Sequence, residues 1–463
     1  MRALHQNQPC ILGQTLRFAS AIRKGNAVAG VKYCLPQPFR PAQIPRSAIC
    51  EPSCPSLKKS SVRQSLRFTL TFGALMAIGP FSINMYLPSL PTLEREFNAH
   101  PAQIQLTMAA YFIGMALGQM PYGALADRWG RRPPMLLGII LYTLASVGCA
   151  LATSIEMMIA CRFLQALGGC SIMVVVRAIV RDLFSPLEGA KVLSTLLLVM
   201  GVAPIMGPLI GGWVMLGFGW RAIFWTLAIY GALGLLAIWL AFPETRKPGS
   251  AQRPNLEPVQ LQLRLLFTDR IFTGNVFAGA LSQAAMFTYL AGSPYVLIEY
   301  LGVPVESYGL LFAMNAVGMI AGSQLNRGCL TRWGVHGVLT RVGIIAAVSG
   351  SIMLWFAATQ TGGLLGILLP MFACVFTQGF MIPNTSAAAL VNHKQRAGFA
   401  SGVLGTMQFT IGSITTVILG ALSPQNAVPL AALICATTVG SLAMRQFVVP
   451  RQPSARSRTR TGD

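Results

Sequence analysis

From about Arg67 onward the chain alternates long apolar runs with short polar punctuation. Each run holds roughly 20 residues, enough to cross a bilayer core of about 30 Å as a helix. The pattern predicts spans near 67–90, 102–125, 133–153, 155–178, 190–216 and 221–242, and then near 270–296, 305–326, 337–357, 362–390, 397–421 and 427–447. Twelve such helices make an all-α integral membrane protein. Residues 243–269, with Pro, Gly, Ser, Gln and mixed charge, form a linker that divides the spans into bundles at 67–242 and 270–447. Residues 1–66 read as a disordered basic extension, and 448–463 as a basic tail.

Composition supports the membrane as solvent. Of 463 residues 54% are hydrophobic and only 10% charged, whereas a soluble domain carries roughly a quarter charged residues. The net charge of +22 lies mostly outside the apolar runs, with no basic, aromatic-interleaved folded domain around it, so nucleic acid is not an expected partner. The loops after even-numbered spans hold Arg128, Arg131, Arg132, Arg181, Lys191, Arg246, Lys247, Arg264, Arg332 and Lys394; the alternate loops hold little besides Arg95 and Arg221. The basic side is therefore expected in the cytoplasm, together with both termini. Six of the ten cysteines lie in or beside apolar spans and read as packing residues; Cys10, Cys34, Cys50 and Cys54 lack zinc-ligand spacing. The extension is Arg-rich and acid-poor like a transit peptide, but a cytosolic tail or a start codon placed too far upstream fits it as well.

The chain also repeats itself. Gly114, Gly118, Arg128, Trp129 and Gly130 recur 204 residues later as Gly318, Gly322, Arg332, Trp333 and Gly334. Chance matches among membrane glycines do not readily supply Arg-Trp-Gly in the same inter-span loop, so two parallel homologous halves are expected.

The loop between spans 2 and 3, Gly123 to Arg132, packs Asp127, Arg128, Arg131 and Arg132 into six residues. Gly123 would allow close helix approach and Gly130 a tight turn. One reading is an anchor of positive charge that sets topology. The other is a conformational latch. The pattern G-x3-D-R-x-G-R-R resembles the signature loop of the major facilitator superfamily, and twelve spans in two repeats agree with it. The resemblance implies that Asp127 and Arg131 engage neighbouring helix ends, with Asp182 as acidic partner. In span 4, Arg162 and Gln165 resemble the R-x-x-Q-G pattern of proton-coupled members. An arginine near the bilayer centre costs about 2.5 to 3.5 kcal/mol, which points to a functional role facing a cavity, unless it snorkels to the headgroups. In span 5, Gly207, Pro208, Gly211 and Gly212 resemble the antiporter signature of the drug-efflux branch; the glycines would admit another helix and the prolines would loosen a gate.

Ser82 to Pro91, which includes Asn84 and Tyr86, resembles the bicyclomycin-resistance (Bcr/CflA) drug efflux family, as do Arg177 to Asp182 and Ser293 to Val296. The likeness runs from about Arg67 to Gln446. Where that family carries Asp before Met-Tyr-Leu-Pro, this chain has Asn84, and no Asp, Glu or His lies deep within a predicted span. An amide carries no proton at physiological pH, so the resemblance implies export more firmly than it implies proton coupling. Tyr86, Gln283, Tyr289, Asn315, Gln378 and Asn384 are candidates for a mixed apolar and amide-lined substrate cavity, with interhelical hydrogen bonding as the alternative for each.

The resulting expectation is a multi-pass exporter of drugs or small amphipathic molecules in a bacterial inner membrane. A proton gradient would drive it, no other cofactor or metal is expected, and the chain would be a monomer. No G-x4-G-K-[ST] loop is present to supply ATP chemistry. An exporter or importer of one metabolite is the alternative within transport, with a facilitative carrier or a non-transporting sensor beyond it. A membrane enzyme would need paired catalytic groups at bilayer depth, and the sequence shows none.

Overall fold

The computed structural model describes residues 62–184, 186–241, 258–393, 396–422 and 426–449. The apolar runs become helices: α1 (Val62–Asn84), α2 (Leu90–Glu96), α3 (Pro101–Trp129), α4 (Arg132–Ala150), α5 (Ile155–Leu183), α6 (Pro186–Phe218) and α7 (Trp220–Ala241) in the first half. The second half holds α8 (Val259–Thr268), α9 (Arg270–Pro294), α10 (Val305–Thr359), α11 (Gly363–Leu390), α12 (Ala397–Ala421) and α13 (Val428–Val448). Nine segments among the described residues are long and apolar enough to cross a membrane. One of them is α10, whose 55 residues hold two spans, and α3 and α9, with 29 and 25 residues, complete twelve. Large apolar side chains lie open on the helix surfaces, Leu144, Trp213 and Leu369 among them at 62 to 67% exposed, as a lipid-facing wall requires.

Several expected boundaries are corrected. Residues 62–66, assigned to the extension, belong to α1; residues 1–61, with the four early cysteines and the proposed disorder, lie outside the described residues, as do 242–257 and the tail from 450. The linker is not without structure at its end, because 259–268 form the short helix α8. Span 1 stops at Asn84, and Leu87–Ser89 form a 3₁₀ turn with Pro88 before α2. The loop between spans 8 and 9 is helical almost throughout, interrupted at Gly334.

Local chemistry sets the helix ends. His100 caps α3 by accepting from the Ala102 amide, and the Gln103 side chain accepts from the His100 amide in return. Ser154 caps α5 and Asp269 caps α9. In the first half α5 packs between α3 and α4, α4 packs on α7, and α1 on α6. In the second, α10 packs on α11 and α13, and α9 on α11, α12 and α13. The two bundles meet along two seams, α3 on α12 and α6 on α10.

The internal repeat is visible in the packing. A methyl group at Gly114 would lie 2.5 Å from the Phe163 carbonyl, and one at Gly118 would lie 2.8 Å from Cys170 Cβ. Their counterparts Gly318 and Gly322 press on Phe372 and on the Phe376 carbonyl in α11. Gly130 (φ 93°) and Gly334 (φ 64°) make the same left-handed turn, so the repeated sequence carries a repeated backbone.

Candidate functional site

At the basic end of the first bundle, Gly130 ends α3 and places Arg131 at the start of α4. The Arg131 Nη1 donates to Asp127 Oδ1 and its Nε to Asp182 Oδ2, both at 2.7 Å. One turn of α3 and the last turn of α5 are thereby fastened to the head of α4. Arg131 is only 5% exposed. Burial works against its charge, but the hydrogen bonds and charges of Asp182 and Asp127 outweigh that and hold it above the ordinary guanidinium range. Arg132 reaches elsewhere, donating to the Trp239 carbonyl of α7, and Arg128 is exposed. A methyl group at Gly123 would meet Val174 at an ordinary 3.9 Å, so close helix approach does not require glycine there.

Deeper in the same bundle, Arg162 is fully buried and does not snorkel. Its Nη1 donates to the Ser82 carbonyl at 3.0 Å and to Gln165 Oε1 at 2.7 Å. Tyr86 and Tyr111 each set a ring face 4.4 Å from the guanidinium carbon. Such contacts are worth about 2 kcal/mol when desolvated. No carboxylate is among its ion-pair partners in the described residues; a carbonyl, an amide and two aromatic faces solvate it. Gln165 passes the network on to Ser146, and Tyr142 joins it through Ser82. Tyr111, Tyr142 and Ser146 escaped the sequence reading, and Ser82 entered it only as part of a motif, since each alone is an ordinary polar residue in an apolar span.

Asn84, at the end of α1, donates from Nδ2 to the Pro80 carbonyl at 2.7 Å, while its buried Oδ1 has no partner. Against this end lies α6. A methyl group at Gly207 would come within 2.7 Å of Asn84 Cβ, and one at Gly211 would collide with the Met85 backbone. Pro208 is buried between them. Gly212 has nothing within 4 Å of such a methyl, which corrects the expectation that it too admits a neighbouring helix.

The second bundle's candidate amides mostly bond to neighbours. Gln378 exchanges hydrogen bonds with Ser282, and Asn384 with Asn326. Asn315 donates to the Tyr289 hydroxyl and keeps an unpartnered Oδ1, while Gln283 is half-buried. Across the seam, Phe287 stacks on Phe112 of the other bundle with centroids 4.1 Å apart, and on Phe409 at 5.3 Å. A methyl group at Gly412 would strike the Phe287 ring, so glycine seats it. A third buried arginine among the described residues was missed by the sequence reading. Arg445, near the end of α13, donates to Asn275 Oδ1 at 3.2 Å and lies 2.8 Å from His336 Nδ1. Its place beside the basic tail disguises it in the sequence, and Asn275 within span 7 is the one available signal.

At the end opposite Arg131 the bundles are tied together. Arg95 pairs with Glu299, and Gln105 Nε2 donates to the Ala291 carbonyl at 3.0 Å. Ser413 donates to the Ala109 carbonyl further along the α3 and α12 seam.

Comparison with known proteins fits this geometry. The Major Facilitator Superfamily profile matches residues 71–417. The bicyclomycin resistance protein homolog of Haemophilus influenzae is 31% identical over 389 residues, covering 84% of this chain and 98% of that protein. The multidrug resistance protein MdtL of Escherichia coli is 31% identical over 392 residues, covering 84% and 97%. Among solved structures, a D-xylose-proton symporter superposes with a TM-score of 0.68 at 15% identity, covering 84% of this chain and 98% of that one. A bacterial homolog of the human lysosomal transporter Spinster, inward-facing and occupied, gives 0.64 at 18%, covering 83% and 95%. At these identities the structures speak for the fold alone.

Proposed function

Since the chain belongs to the major facilitator superfamily, we propose that it is a secondary active exporter of small amphipathic molecules, drugs among them, in a bacterial inner membrane. The observation that carries the transport reading is the pair of seams, α3 on α12 and α6 on α10, where two homologous bundles meet and can rock against each other. The drug class comes from the relatives named for bicyclomycin and multidrug resistance. Both termini, and the end that holds Arg131, face the cytoplasm in this reading.

Each part of the site has a task in the cycle. The Asp127, Arg131 and Asp182 contacts fasten α3, α4 and α5 into one rigid corner, a charge-assisted contact at the water boundary that can be remade in each state. Arg162 sits within an aromatic cage, which fixes the relative positions of α1, α3 and α5. Gly207 and Gly211 let α6 press on the end of α1, so motion of α6 is felt at Asn84.

A second reading, transport without proton drive, is favoured by Asn84 itself. Its Nδ2 hydrogen bond to Pro80 needs a donor, and a carboxylate at that position could keep the contact only by holding a proton. Proteoliposomes loaded with a panel of drugs, assayed with and without a proton gradient, test both readings. Substrate movement is expected, with Asn84→Asp gaining gradient dependence. If no drug of a broad panel moves, the exporter reading fails; if Asn84→Asp gains no pH dependence, the assigned coupling position is wrong.

A further inference from the structure

The outer ends of the bundles enclose a small cleft lined by Leu90, Glu94, Ile104 and Gln105 from the first half and by Ala291 and Tyr295 from the second. Gln105 is 5% exposed, and its Nε2 is committed to the Ala291 carbonyl, whereas its Oε1 is buried with no hydrogen-bond partner. A buried acceptor without a donor costs roughly 1 to 3 kcal/mol. The one titratable group lining the same cleft from the first half is Glu94, half-buried, whose carboxyl takes part in none of the ion pairs of the described residues. The neighbouring acids are engaged: Glu299 with Arg95, and Glu96 with Arg221 and the Trp220 indole.

We infer that Glu94 is a proton-binding site whose protonated form holds the outer gate shut, by donating its hydroxyl to the unpartnered Oε1 of Gln105, the residue that ties the two bundles through the Ala291 carbonyl. The proton comes from outer water and returns to it when the gate opens. Two features of the cleft support this. Protonation supplies the donor that Gln105 lacks, and it removes the repulsion between Glu94 and Glu299, which bear on each other from opposite bundles. The other charged or titratable groups facing Glu94 are Arg95 and His100 from its own half and Tyr295 from the second. Arg95 is spent on Glu299. His100 carries a capping role at the start of α3.

The inference rests on the alternating-access reading and adds to it a control of the outward-open state by external acid, separate from any proton carried across. A chain with Asn84 in span 1 can thus respond to pH without transporting protons.

The test uses the full-length protein in lipid nanodiscs. Ketone-bearing amino acids at Thr153 and Thr361, exposed on the outer loops of the two halves, carry spin labels and leave the native cysteines in place. As the pH is lowered from neutrality through the carboxylate range, the short-distance population should rise by about threefold or more. Glu94→Gln, neutral and able to donate, should give the short distance at all pH values. Gln105→Leu should move the wild-type response to lower pH, by about half a unit or more. His100→Asn, which preserves a capping side chain, should leave the response intact. A full pH response in Glu94→Gln, its loss in His100→Asn, or a response that appears only with sodium in place of choline would overturn the assignment. Drug flux into proteoliposomes is read separately, so a failed transport reading shows as absent flux with the distance response intact.

Discussion

The two halves use the same backbone at their basic ends and different chemistry. Gly130 and Gly334 turn the chain with positive φ, and Gly114, Gly118 and their counterparts Gly318 and Gly322 seat the preceding helix against its neighbour. The side chains then part ways. Shifted by 204 residues, Asp127 becomes Thr331 and Arg131 becomes Val335. Thr331 turns its hydroxyl back to the Gly328 carbonyl, and Val335 is exposed. Where the first half has a buried cation between two carboxylates, the second has Arg445 between an asparagine and a histidine. Packing glycines survive duplication because any side chain would collide. The exposed Arg128 survives as Arg332 while the buried charge of Arg131 does not, so the first corner is where the halves are chemically distinct.

The sharpest way to break this contrast is to remove its central charge. Arg131→Ala leaves Asp127 and Asp182 without the cation that joins them and releases the head of α4 from α3 and α5. Transport should fall by roughly tenfold or more, with membrane insertion retained. The matching change in the second half, Val335→Ala, should leave transport near the wild-type rate. Initial efflux rates in proteoliposomes decide it: equal rates for the two variants would mean that the first corner holds no state-dependent contact.

Much of this was legible before any coordinates. Spans 2 through 12 announced themselves because bilayer thickness dictates run length, and the Arg-Trp-Gly repeat betrayed the duplication. What escaped was relational. The Arg162 cage needs Tyr86, Tyr111 and Ser82, separated by up to 80 positions and meeting only when α1, α3 and α5 pack. Helix α8 was hidden in a polar linker, since ten residues with alternating Gln and Leu give no membrane-length signal. The merging of spans 8 and 9 into α10 escaped for the opposite reason. A polar run with glycines reads as a loop, yet a single positive-φ residue suffices to turn the helix there.

The shared turn gives a milder test, one aimed at what the halves have in common. Gly130→Ala and Gly334→Ala each place a Cβ on a positive-φ backbone that only glycine readily adopts, a strain of roughly 1 to 3 kcal/mol. Both should lower the thermal unfolding midpoint in detergent, Gly334→Ala through backbone strain alone, since no neighbour lies within 4 Å of a methyl group there. Only Gly130→Ala should also slow transport, since it displaces Arg131. If both slow it equally, the turn rather than the latch governs motion.

The smallest effect concerns the carboxylate the second half does keep at this end, in another place. Asp269 caps α9 through the Ile271 amide and accepts from Asn392 at 3.0 Å, with His393 at 3.1 Å, so it ties the start of α9 to the end of α11. Burial alone would raise its carboxyl, but hydrogen bonds from Asn392, the Ile271 and Phe272 amides and His393 outweigh that and hold it below the ordinary range. A carboxyl lower in the folded than in the unfolded state contributes stability that is fully present above the unfolded pKa and disappears as pH falls through the folded one. Asp269→Asn keeps an acceptor for the Ile271 amide but loses the charged oxygen that faces Asn392 and His393, and should therefore cost about 1 kcal/mol at neutral pH and nothing further in acid. Thermal unfolding of wild type and variant should converge as pH is lowered through the carboxylate range. Midpoints that stay apart by the same margin in acid would show that the charge of Asp269 contributes nothing, and that the tie is one of hydrogen-bond geometry alone.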